Sequence, residues 1–545
     1  MDYFRSDAFS SLVRELMDEH HTPGFSIAVV QDEEVDSAGY GYAHLESKTP
    51  VTPDTLFDIA SCSKSMTATA VGLLVEDDEK YPEVQYTATM SSLLPDDFVL
   101  SSAEYTNSVT LDDILSHRTG MPTHDKCYMG PQAAQPDDAK SITRNLRHLP
   151  MAHPLRTKYI YNNMMFTVAT YLVEVKSQKS FSDFLQERIF KPLGMDSTTL
   201  QPSAARARFG DRVATGYEWD KETSKYSGFP APDSPEAQGA GSVVTSAKDF
   251  IKWVGALLRR EGPISEKVYR DLVRIRSIQN PGAFRLKRFT SPEFYGTGLD
   301  IYYYRGYTVI AHDGGISGFG SRFFFMPELG FGAAMVGNSG QTLQSVGGAG
   351  TIANILSRRL IDAALKVSEI VSLPRWKPKR REEKIRGDIA IRQKNQPNGQ
   401  VQDNKEQEGK KENESEVGSD SDSDPDEDEK EEDKKESPSP QVTPLTSYVG
   451  SYWNPGYRRL TVQIKNDKLF IDATDRTTGF RSVFEHISDQ TKYILHSYDM
   501  FEGGDEPCPA EFVFENGRAV KLGVLFEEVL KEMIWFELER EEGEK

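Results

Sequence analysis

At 545 residues the chain exceeds what one hydrophobic core usually supports, so two or more domains are expected. Its net charge of −20 argues against nucleic-acid binding by the folded part. The three cysteines, Cys62, Cys127 and Cys508, are odd in number and far apart, which fits a reducing compartment and no metal or redox pair.

The N-terminus has no basic region followed by an apolar core, and no apolar run approaches the ~18 residues a membrane span needs. The expectation is a cytoplasmic protein without a membrane partner. Phe9, Leu12, Val13 and Leu16 recur at three- and four-residue steps, which predicts an amphipathic helix ending near His20. Phe25–Val30, the polar break Gln31–Glu34 and the glycine-rich Gly39–Tyr42 then predict a strand pair. Helical patterning dominates from Ser61 to about Leu193. Strand-like runs return at Tyr307–Ala311, Arg322–Met326 and Phe331–Val336.

This order predicts an α+β fold, with one sheet assembled from both chain ends, flanking helices and an inserted helical subdomain. The domain is expected to span residues 1–373. Residues 374–440 are predicted to be a disordered, charged linker: Gln393–Pro440 is almost free of large apolar residues and cannot offset its ordering entropy. The basic Lys377–Arg381 next to it reads as solvated, with a nuclear-import patch as the weaker reading, and the Ser419–Asp426 repeat has the pattern of an acidophilic phosphorylation site. Order resumes near Val442. Alternating Leu460, Val462 and Ile464, the turn Lys465–Lys468, and then Leu469 and Ile471 predict a hairpin in a small all-β domain, residues 441–545.

Ser61 is the only serine with a lysine three residues later, Lys64, and it follows the strand-like Thr55–Ala60. On a helix these positions share a face, so the Lys64 amine can lie beside the Ser61 hydroxyl. A serine hydroxyl is a poor nucleophile unless a base takes its proton, and a desolvated lysine can be that base. By itself the pair is a weak signal, since a chance surface pair with Ser61 as a helix cap is the commoner reading of such a spacing.

The surrounding motifs are more specific. They are Pro23–Val30, Gly39–Tyr42, Thr49–Phe57, Leu115–Pro122, Tyr161-Asn-Asn163, Pro192–Met195, Tyr295–Gly298 and His312-Asp-Gly-Gly315, in this order. Together they resemble the serine β-lactamase, penicillin-binding-protein and esterase superfamily, in its class C-like branch with the S12 peptidases. The resemblance covers about the first two-thirds of the chain. It implies Ser61, Lys64 and Tyr161 as catalytic residues, Tyr161 sharing the acid and base role with its phenol lowered by nearby cations. It implies that Asn163 offers its amide to the substrate carbonyl and to Lys64. It also implies an oxyanion hole from the N–H groups of Ser61 and Gly315, with His312, Gly314 and Gly315 on the strand bordering the site.

Where class C β-lactamases carry lysine, this chain has His312, which can be neutral and donate one hydrogen bond. Asp313 is a second feature expected to disfavour anionic substrates. The expected activity is therefore hydrolysis of an ester or amide through an acyl-enzyme, with transfer to an alcohol or amine acceptor as the alternative. An inactive scaffold protein is the reading from another class. No metal and no cofactor are expected. His117 reads as structural and Tyr159 as unrelated to the catalytic spacing. Pocket walls are expected in Thr123–Leu155 and Gln201–Gly239, which match no motif. The C-terminal domain resembles the lipocalin-like modules of some S12-type enzymes, with capping or homo-oligomerisation as its implied roles.

Overall fold

A computed structural model describes residues 1–340, 347–367, 440–501 and 503–539. The expected linker, apart from Pro440, lies outside the described residues, as do the Lys377–Arg381 patch and the Ser-Asp repeat.

Nine antiparallel strands form one sheet in the order Thr49–Pro50, Glu34–His44, Gly24–Gln31, Phe331–Gly337, Phe319–Met326, Tyr307–Ile316, Asp300–Tyr304, Phe294–Tyr295 and Ser277–Ile278. The two chain ends meet as expected, with Phe25 opposite Gly337 and Gln31 opposite Phe331. Both central strands are buried on both faces, which is why their sequences read as continuous apolar runs and not as alternation. The helix Asp7–Glu19 is capped by the Ser6 hydroxyl, which accepts from the Phe9 N–H at 3.2 Å. It covers one face of the sheet together with the helix Gly348–Ala364.

The helix Ala247–Arg259 packs on the opposite face. Beneath it runs Ser63–Glu76, buried nearly all round and enclosed by Met164–Ser177 and Glu266–Val273. A helix without a polar face has to be internal, and this one places its N-terminal turn at the middle of the domain. The expected helical insertion is present, but it also holds a three-stranded sheet of Leu56–Asp58, Val243–Ser246 and Thr199–Leu200. These strands of two to four residues are too short to show a period in sequence. The two-residue Phe294–Tyr295 strand escaped sequence reading for the same reason.

The C-terminal domain is a closed barrel of eight antiparallel strands, from Gly450–Asn454 to Ile534–Leu538, sealed by pairing of Tyr452 with Leu538. The expected hairpin joins Arg458–Lys465 to Lys468–Ala473. Its two turn residues, Asn466 and Asp467, have φ of 51° and 57°, the two-residue turn whose twist matches that of the strands. Tyr452, Val462, Ile471, Phe512, Leu522 and Phe536 fill its interior.

Candidate active site

The chain leaves the Leu56–Asp58 strand and turns at Ala60, whose φ of 43° is a left-handed conformation that a β-carbon disfavours. Several bonds hold it there. The Ala60 N–H donates to Asp58 Oδ1 at 2.7 Å, the Ile59 N–H to the Val243 carbonyl at 3.0 Å, and the Ser321 hydroxyl to the Ile59 carbonyl at 2.8 Å. Ala60–Cys62 then form a tight 3-10 turn that runs into the Ser63–Glu76 helix, so Ser61 projects from the helix entrance.

Lys64 is fully buried, and its Nζ lies 2.9 Å from Ser61 Oγ and donates to the Ala240 carbonyl at 2.7 Å. Burial pushes its pKa down to about 7, against the opposing charge of Asp125. The amine is therefore substantially neutral at physiological pH, the form that can accept a proton. Tyr161 donates its hydroxyl to Ser61 Oγ at 2.8 Å, and its ring lies 4.8 Å from Lys64 Nζ. Its phenol differs from expectation: burial raises its pKa, because desolvation of the phenolate outweighs the hydrogen bond to Ser61. In this geometry the Tyr161 phenol keeps its proton, and the Lys64 amine is the group beside Ser61 that can take one up.

Asn163 stands at the start of the Met164–Ser177 helix, but its amide donates to both oxygens of Asp125, each at 3.3 Å. The expected bond from Asn163 to Lys64 is replaced by the Ala240 carbonyl. Asp125 and Ala240 are site residues that sequence reading missed. Asp125 lies inside the Thr123–Leu155 stretch expected to wall the pocket, and no motif marks it.

The strand Tyr307–Ile316 pairs with Asp300–Tyr304 only as far as Ala311, and past that point the Ala60–Cys62 turn lies along its edge. The Cys62 thiol donates to the His312 carbonyl at 3.2 Å. A β-carbon on Gly314 would overlap the Ile59 carbonyl oxygen and the Ser321 hydroxyl, so glycine is what lets this edge approach Ser61. Gly315 is exposed, and a β-carbon there would meet nothing within 4 Å.

His312 is buried and held at a pKa of about 4 by desolvation and by Lys64, so it is neutral as expected. Its donor is already used. Nδ1 faces the Asp313 carbonyl at 2.6 Å and must carry the hydrogen, which leaves Nε2 to accept from the Tyr295 hydroxyl at 3.0 Å. The expectation that His312 donates to a substrate is corrected accordingly: it anchors Tyr295, which sequence reading had inside a motif but without a role. Asp313 points the other way along the strand and pairs with the buried Arg322 and with Asn354 Nδ2, so its charge is neutralised away from Ser61. His117 is packed 4.3 Å from the Tyr161 ring, and its Nδ1 accepts from the Asn162 N–H at 3.0 Å. Tyr159 packs against Tyr295 at 5.5 Å.

Residues 9–355 match the family profile described as Beta-lactamase, and residues 434–538 match a domain of unknown function, DUF3471. Unguisins hydrolase ungD' of Aspergillus campestris is 34% identical over 539 residues, covering 97% of this chain and 91% of that protein. A D-aminopeptidase of Brucella anthropi is 28% identical over 325 residues, covering 58% of this chain and 56% of its own. Among solved structures, the octameric penicillin-binding protein homologue from Pyrococcus abyssi shares the fold, with a TM-score of 0.56 and 19% identity across 98% of this chain and 100% of that one. No helix among the described residues is long and apolar enough to cross a membrane. The first domain thus has the family's fold as well as its sequence pattern, and the chain belongs to the Beta-lactamase family, enzymes that act on ester or amide bonds by a serine-hydrolase mechanism through an acyl-enzyme.

Proposed function

We propose that Ser61 is the nucleophile of this enzyme, that neutral Lys64 is its base and that Tyr161 relays the proton. The observation that carries the reading is the convergence on Ser61 Oγ of a buried amine at 2.9 Å and a phenol at 2.8 Å. In acylation Ser61 Oγ bonds to the carbonyl carbon and its proton passes to Lys64 Nζ. The oxyanion is received by the N–H groups of Ser61 and Gly315, for which the helix entrance and the open strand edge are the supporting features. As the tetrahedral intermediate collapses, the Tyr161 hydroxyl protonates the departing amine or alcohol and is reprotonated from Lys64. Water then attacks the acyl carbon and gives a proton back through the same pair, restoring the Ser61 hydroxyl.

Hydrolysis is favoured over transfer because the relative that spans nearly the whole chain is a hydrolase of unguisins, and an unguisin is the first substrate to test. We assign the catalytic domain to residues 1–373 and the barrel domain to 441–545. Self-association through the barrel is the further assignment that the octameric Pyrococcus homologue supports, and solution mass would measure it. The main test is fluorophosphonate labelling together with mass-spectrometric assay of unguisin hydrolysis by wild type and Ser61→Ala. Labelling and turnover that both vanish in the variant are expected; equal turnover by Ser61→Ala refutes the assignment, and no labelling of wild type supports the scaffold reading.

A further inference from the structure

Two segments of the barrel reach into the first domain and close on a single turn. Between the Lys468–Ala473 and Phe480–Ser488 strands, residues 474–479 lie along His124–Gly130. The Gly130 N–H donates to the Asp475 carbonyl at 2.9 Å and the Thr477 N–H to the Tyr128 carbonyl at 3.2 Å. Three consecutive residues of the turn each give one backbone group to a barrel side chain. The His124 N–H donates to Glu527 Oε1 at 2.7 Å, the Asp125 carbonyl accepts from the Thr478 hydroxyl at 2.9 Å, and the Lys126 carbonyl accepts from the buried Arg476 guanidinium at 2.9 Å. Glu527 also accepts from the Thr123 hydroxyl at 3.3 Å. His124 sits at φ 51°, a conformation that persists where the surroundings impose it, and its ring is closed between the Tyr457 hydroxyl at 2.7 Å and the Pro150 carbonyl at 3.0 Å.

On the inner side of this turn the Asp125 carboxyl group receives the Asn163 amide, and its charge acts on Lys64. A turn fixed from outside by another domain and delivering one carboxylate into the site is more than a packing contact. We propose that Asp125 is a positioning residue for Asn163 and the charge partner of Lys64, and that Thr478, Arg476 and Glu527 of the barrel hold it in place, so the second domain completes the active site. This rests on the assignment of Ser61 and Lys64 given above.

The charged and titratable groups around the two partners fix the sign of the effect. Lys64 feels the charges of Asp125, Cys62 and Asp300, with the ring of Tyr161 and the neutral His117 and His312 near it. Asp125 faces Lys64 and Lys126, and its charge is felt by Cys127, Tyr128, Tyr457 and Glu527. Burial raises the pKa of Asp125 itself, against the Asn163 amide and Lys64, and in its ionised form it favours the ammonium form of Lys64. Without it burial acts with less opposition, and the amine stays neutral to lower pH.

The test is kcat/KM of the full chain on p-nitrophenyl butyrate from about pH 5 to pH 9, with Ser61→Ala as blank. Asp125→Asn is expected to move the acid limb down by about one pH unit. Thr478→Val and Glu527→Ala should move it the same way by less, while Thr478→Ser and Glu527→Gln, which keep a donor and an acceptor, stay near wild type. Thermal unfolding measured in parallel separates loss of fold from loss of position, and if Thr478→Val does not fold, Glu527→Ala carries the barrel arm. An unmoved limb in Asp125→Asn overturns the proposal. So do barrel variants that lose plateau activity and stability together with the limb unmoved. Ser61-independent turnover would instead sink the underlying assignment.

Discussion

Replacing Lys64 by methionine removes the amine and keeps an unbranched side chain of similar length, so it isolates the cost of burying this base. The pKa of Lys64 falls from 10.5 to about 7 in the fold. At ~1.4 kcal/mol per pH unit, that displacement of ~3.5 units corresponds to at most ~5 kcal/mol of destabilisation. Against it, the variant leaves the Ala240 carbonyl without its donor, a loss of about 1–3 kcal/mol. The net expectation is a protein more stable than wild type by ~2 kcal/mol near neutral pH. Between pH 10.5 and about 7 the unfolded chain protonates this lysine and the folded chain does not, so wild-type stability rises with pH across that window. The variant's advantage is therefore full below about pH 7 and fades toward pH 10.5. Urea unfolding midpoints of the two proteins at about pH 6.5 and about pH 10 read this directly. Ester turnover should fall about 10²–10⁴-fold, the usual contribution of a general base. A variant less stable than wild type at the lower pH, or a stability difference that ignores pH, would refute the reasoning.

Three further outcomes follow from the geometry. Gly314→Ala should unfold at lower temperature and lose activity, because its new methyl overlaps the Ile59 carbonyl that anchors the Ser61 turn, whereas Gly315→Ala should fold like wild type and lose turnover only where substrate touches it; circular dichroism melts with ester kinetics compare the two. His312→Lys would bury a second ammonium near Lys64 and remove the acceptor of the Tyr295 hydroxyl, so the acid limb of activity should move to lower pH and stability should drop by ~3 kcal/mol; an unmoved limb contradicts the neutral role given to His312. Asp313→Asn should weaken the pairing of buried Arg322 and lower stability by ~2 kcal/mol while leaving the preference between neutral and carboxylate-bearing esters as it is; a changed preference would restore Asp313 to the substrate side.

Much of the site was legible because its spacing is local. Ser61 and Lys64 are joined by one helical turn, and short-range geometry is written in consecutive residues. The apolar runs Phe25–Val30 and Phe331–Val336 announced the central strands, although only their pairing shows how they bring the two chain ends together. The ionisation of Tyr161 was not legible. Whether nearby cations or desolvation dominates depends on how completely the ring is enclosed, and that is a property of His117 and Lys64 packed around it.

The sequence by itself determined the fold class, the closeness of Ser61 and Lys64, the glycines of the bordering strand and the existence of a second, all-β domain. Only the tertiary structure decided which partners those residues keep: Ala240 for Lys64, Asp125 for Asn163, Tyr295 for His312, and a barrel more than 300 residues downstream for the turn that carries Asp125. The physical reason is the range of the interaction. Periodicity and motif spacing record contacts within a turn or a strand, whereas a hydrogen bond between residues 353 positions apart leaves no pattern until the chain has closed around it.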